Sequence, residues 1–161
     1  MKTARSKNIR KDAGQTLVEF ALVAILFFAI IFGIIEFGRF WFYSNHLNNS
    51  VRAAARYAAV LGSASPPPTS GAAFYSDVVA YLTTEIAGTM PIDTTPPITI
   101  TVTLIPTDGS APSSPPSTIP SRGDTIEVTV DYPFTVLSGS IIPFFSGAYT
   151  IERSATMRYE G

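Results

Sequence analysis

The chain has 161 residues, of which 46% are hydrophobic and 14% charged, with a net charge of −1 and no cysteine. A soluble domain carries roughly a quarter of charged residues, so this composition points to a membrane-associated chain, and the near-neutral balance gives no electrostatic footprint for nucleic acid. The missing cysteines exclude a disulfide framework, a thiolate nucleophile and a cysteine metal site.

The first element is a basic head, in which Lys2, Arg5, Lys7, Arg10 and Lys11 all precede an apolar run. From Phe20 to Ile35 no charged residue occurs, and Leu17, Val18 and Phe37 extend the run to about the 20 residues that cross a bilayer. The spacing predicts a retained transmembrane helix over about 17–37. A cleaved secretory signal would end at small residues, whereas this run leads into Glu36, Arg39 and the aromatics Phe40, Trp41, Phe42 and Tyr43. Basic residues before the run and an aromatic belt after it place the N-terminus in the cytoplasm and the chain beyond Tyr43 outside.

Helical periodicity does not stop at the belt. Leu47, Val51, Ala54, Ala55, Ala58 and Leu61 fall on one face, with Asn48, Asn49, Arg52 and Arg56 on others, and Gly62 is placed as a C-terminal cap. A helix over 15–62 is about 70 Å long, roughly twice the hydrocarbon core of a membrane. Prolines and serines in 63–71 then break it.

Residues 72–161 read as a small extracytoplasmic α+β head. Phe74, Val78, Tyr81, Leu82 and Ile86 mark one face of a short helix, and strict alternation predicts strands over 98–104, 125–132 and 149–160, with Arg153 interrupting the apolar face of the last. A roughly three-stranded antiparallel sheet against a helix is the economical arrangement. Residues 106–123, rich in proline, serine and glycine, read as a flexible, solvated loop. The apolar connection 132–147 suits either head core or a contact between subunits.

Few residues offer chemistry. His46 stands alone in the first polar turns after the apolar run, and Asp93, Asp108, Asp124, Glu127 and Asp131 lack the spacing of metal ligands, so no catalytic residue, no metal site and no cofactor is expected and the protein is read as a non-enzyme. Asn48 begins a glycosylation tripeptide, but within a predicted helix. The residue in need of explanation is Glu19, a carboxylate just inside the apolar run. Two readings stand: it is an ordinary helix-end residue, since Thr16 and Glu19 are spaced as a capping box, or it awaits a partner at membrane depth. Glu36 and Arg39 are spaced to pair on one helix face.

The basic leader, Gly14 followed by Gln15-Thr16-Leu17-Val18-Glu19-Phe20, and the unbroken apolar helix resemble the processing site of type IV prepilins. More narrowly, "GQTLVEFALV", "IIEFGRFWF", "RAAARYAAV", "EVTVDYPFTVL" and "SATMRYE", in that order, resemble the TadE-like pseudopilins of tight-adherence pilus systems.

That resemblance implies a leader over 1–14 removed by a prepilin peptidase between Gly14 and Gln15. It implies pairing of Glu19 with the Gln15 amine of a neighbouring subunit, contacts with other pilins through the N-terminal helix, and an assembly platform in the cytoplasmic membrane. Major subunits of such pili are little more than the helix, so a full head implies a minor pilin or pseudopilin of a cytoplasmic-membrane assembly, inserted there before any incorporation into an extracellular pilus. The alternatives are a large-headed major pilin and a signal-anchored extracytoplasmic binding module with no assembly role.

Overall fold

A computed structural model describes residues 9–137 and 147–161. Residues 1–8 of the expected leader and the stretch 138–146 of the apolar connection lie outside the described residues. By its internal contacts the chain divides into two compact units, the first ending at Arg39 and the second running from Phe40 to Gly161.

Helix α1 (Ile9–Val60) is a single helix of 52 residues. From Phe20 to Ile35 its side chains are apolar on every side: Phe20 and Ile25 are 68% and 72% exposed. Such a helix has no face to turn toward a core, and it is stable only where its surroundings are themselves apolar. It is the one helix among the described residues that is long and apolar enough to cross a membrane, and it fits a single-pass anchor.

Within the second unit α1 becomes one-sided. Leu47, Val51, Ala54, Ala55 and Ala58 are fully buried, while Asn49, Arg52 and Arg56 are exposed. A short 3-10 turn (Leu61–Ser63) ends the helix. Helix α2 (Gly71–Ala87) starts where the Ser70 hydroxyl accepts the Ala73 amide at 3.1 Å, and it buries Phe74, Val78, Leu82 and Ile86, spaced by four residues.

The sheet has the order β1 (Thr99–Ile105), β2 (Thr125–Thr135), β3 (Ala148–Arg158), antiparallel throughout. Ile126, Val128, Val130 and Tyr132 of the central strand point into the core with Val102 and Ile151, and the core closes with the buried faces of α1 and α2. The expected α+β layout of long helix, short helix and three antiparallel strands is the one observed.

Strand β2 runs past Tyr132 through Pro133, which a central strand ordinarily rejects because proline has no N–H for the ladder. The register supplies the reason. Thr99, the first residue of β1, sits opposite Asp131, so on that side β2 has no neighbour at Pro133, while Pro133 still lies opposite Thr150 of β3. Phe134 then adds a buried ring that meets Tyr43 edge-on, with centroids 5.8 Å apart.

The outward carbonyls of β1 are all taken. In an antiparallel ladder successive residues turn their peptide groups to opposite sides, and here the outward carbonyls are those of Ile100, Val102 and Leu104. Tyr75 donates its hydroxyl to Ile100 at 3.3 Å, Ser114 donates its hydroxyl to Val102 at 3.2 Å, and Ser113 exchanges both backbone bonds with Leu104 at 2.9 Å.

Candidate functional site

The residues singled out in the apolar helix fall at its two ends. Gly14 lies inside α1, and a Cβ there would meet nothing within 4 Å. Neither packing nor an unusual backbone angle calls for glycine at this position, and in a helix interior it costs roughly 0.5–1 kcal/mol relative to alanine. One residue on, the Gln15 amide donates to the Glu19 carboxylate at 3.1 Å, one helical turn apart. Because α1 is already formed from Ile9, Thr16 occupies a helix interior rather than an N-cap, and the capping reading of Thr16 and Glu19 has no helix end to act on in this structure.

At the other end, the Arg39 guanidinium donates to the Glu36 carboxylate at 2.7 Å, and the two side chains retain 25% and 13% of their exposure. Three residues apart on one face, each offsets the other's charge where the run meets the aromatic belt.

In the second unit, the His46 ring lies parallel to Phe42 at a centroid distance of 6.3 Å, and its Nε2 sits 3.3 Å from the carbonyl of Glu85 in α2. It links two helices and has no carboxylate partner among the described residues. Arg153, which interrupts the apolar face of β3, reaches the buried Ser44 hydroxyl on α1 and donates to its neighbour's carbonyl at Glu152 at 2.6 Å. Among the described residues, no three His, Asp or Glu side chains gather as a metal site.

The polar centre of the head is Asp124, only 6% exposed. Its carboxylate accepts the Thr107 amide at 3.0 Å, the Thr107 hydroxyl at 3.1 Å and the Ser121 amide at 2.7 Å, and so ties both ends of the 106–123 segment to the start of β2. Burial pushes the pKa up, but the three donors favour the anion and together hold it below its ordinary value. Sequence reasoning left Asp124 among scattered carboxylates, since its donors lie 3 and 17 residues away with no motif to join them. At Tyr159, burial raises the phenol's pKa against a hydrogen bond to the Gly62 backbone that lowers it.

No match was found among curated proteins or among solved structures. Residues 14–56, from the glycine ahead of the apolar run to the second of the exposed arginines, match the model of the TadE-like protein family, and the N-terminal helix of this chain is accordingly a TadE-like segment.

Proposed function

We propose that the protein is a minor pilin or pseudopilin of a tight-adherence pilus system. It is made with a leader that a prepilin peptidase removes between Gly14 and Gln15, and it is held in the cytoplasmic membrane by α1 with the head outside. The observation that carries this reading is where the TadE-like match begins: at Gly14, a glycine that the fold does not require. The five basic residues before it support a cytoplasmic N-terminus. A head with its own helix and three strands supports a minor role rather than that of a helix-only major subunit.

Cleavage would free the Gln15 amine one turn from Glu19, at the same depth as a neighbouring subunit's Glu19. An ionised carboxylate in lipid costs several kcal/mol unless matched, and the ammonium of another copy or another pilin is the match offered at that depth. Partner pilins would pack along α1, and the assembly platform of the membrane would receive the same segment.

Intact mass of the protein purified from cells with an active prepilin peptidase tests the reading. A mature chain beginning at Gln15 is expected, and Gly14→Val is expected to leave the leader attached. A chain that keeps residues 1–14 in such cells would instead indicate a signal-anchored module.

A further inference from the structure

The two edges of the sheet are not alike. The Tyr159 amide donates to Asp124 at 2.7 Å and its carbonyl accepts from Gly123 at 2.9 Å, so the odd-numbered residues of β3 face β2, and Thr150, Glu152, Ser154, Thr156 and Arg158 turn their peptide groups outward. The Glu160 amide, next outward, is taken by the Ala59 carbonyl at 2.9 Å. Glu152 accepts from Arg153. The amides and carbonyls of Ser154 and Thr156 have no partner among the described residues.

Helix α1 runs alongside this edge. Ser44 meets Arg153 at one point and Ala59 meets Glu160 at another. Between these contacts the helix advances about 22 Å at 1.5 Å per residue and the strand about 23 Å at 3.3 Å per residue, so the two run side by side in the same direction. The open groove between them is lined by Arg52, Ala53, Arg56 and Val60 of α1 and by Thr156 and Met157 of β3. Arg52 and Arg56 are exposed and have no hydrogen-bonding or ionic partner among the described residues.

We infer that the β3 edge receives an extended acidic segment of a partner protein, which adds a fourth strand between β3 and the Arg52–Arg56 face of α1. Backbone bonds to Ser154 and Thr156 would hold it, as in other strand additions. Two carboxylates spaced two residues apart on one face of a strand, about 6.6 Å, match two arginines one helical turn apart. Charge also decides against a second copy of this chain: pairing β3 with itself about Ser154 turns both arginine pairs toward one two-fold axis. The inference concerns the head alone and stands whether or not the leader is cleaved.

The full-length protein in detergent micelles is titrated with a short blocked peptide in which valine and glutamate alternate, and with the same peptide carrying lysine for glutamate. The glutamate peptide is expected to bind saturably and to slow hydrogen exchange at the Ser154 and Thr156 amides, and the lysine peptide to do neither. Arg52→Glu with Arg56→Glu should weaken the glutamate peptide roughly tenfold and admit the lysine peptide. Thr156→Pro removes an outward N–H while sparing the bonds to β2, so it should abolish binding with the Tm of the head unchanged. Equal binding of both peptides would overturn the inference, as would an affinity indifferent to charge reversal. So would slow exchange at Ser154 and Thr156 before any peptide is added, or concentration-dependent protection there without peptide, which would mark self-pairing.

Discussion

The phenol of Tyr159 occupies the space in which a side chain on Gly62 would stand: a Cβ there would overlap the hydroxyl and lie 2.9 Å from Cζ. Gly62 is therefore not the left-handed cap that its place after the helix suggests. It lies within the 3-10 turn, and its requirement is close approach. Tyr159 cannot step aside, being 3% exposed and set edge-on against Phe74 with centroids 6.2 Å apart.

Gly62→Ala should therefore destabilise the head by about 1–3 kcal/mol, the usual cost of overpacking. Gly33→Ala, where a Cβ would meet nothing within 4 Å, serves as the control. Thermal unfolding followed by near-UV circular dichroism reads both. Adding Tyr159→Phe removes the atom that clashes most, so the double variant should lose less than the sum of the two single losses. Strict additivity would show that the two residues do not meet.

Asp124 gives the head an acid limit. Its folded-state pKa lies below the ordinary carboxylate value, so between the two values the folded chain binds fewer protons than the unfolded one. Its contribution is complete above the unfolded value and is lost as pH falls through the folded one. Asp124→Asn should flatten the decline in Tm on acidification. Asp124→Ala should cost about 1–3 kcal/mol at neutral pH by leaving the Thr107 and Ser121 amides without their acceptor. Unfolding scans across the acid range check both.

The 106–123 segment should also loosen from the other side. A Cβ on Gly71 would lie 2.5 Å from the Pro116 carbonyl oxygen and 2.7 Å from the Thr118 nitrogen, both backbone atoms. Gly71→Ala is expected to push this stretch off the start of α2 and to raise amide exchange over 113–118 and at Leu104, which Ser113 holds, with the amides paired between strands unchanged.

Glu19→Ala should leave membrane insertion intact, because a charge opposes insertion and its removal does not. Under the proposed function the loss appears in co-purification with partner pilins and in pilus formation. A variant that inserts, matures and assembles like the parent would remove Glu19 from the assembly contact.

Much of this fold is written in periodicity. Leu47 to Leu61 at helical spacing, Phe74 to Ile86 at intervals of four, and the alternation around Val128 each mark a buried face, because burial repeats with the geometry of the element. What periodicity does not carry is how distant segments meet. Pro133 halts a strand reading that depends on alternation alone, and only the late start of β1 makes it admissible. Arg153 breaks an apolar face until Ser44, 109 residues earlier, supplies its partner. The composition of 106–123 points to solvated chain, and composition contains no trace of a carboxylate at Asp124 gathering amides from both of its ends. At the N-terminal end the legibility is of another kind: Gly14 is conspicuous in the sequence because helices disfavour glycine, and the structure adds that nothing nearby explains it.

A sheet that could be extended at both margins would have two free valences and could propagate, copy upon copy, into a ladder. Here the Tyr75, Ser113 and Ser114 bonds occupy the outward carbonyls of β1, so that margin is a poorer acceptor of a further strand than the β3 margin. Under the proposed strand addition each head then takes its guest at β3, and a neighbouring head meets at β1 a margin already short of acceptors from which to build a fibre.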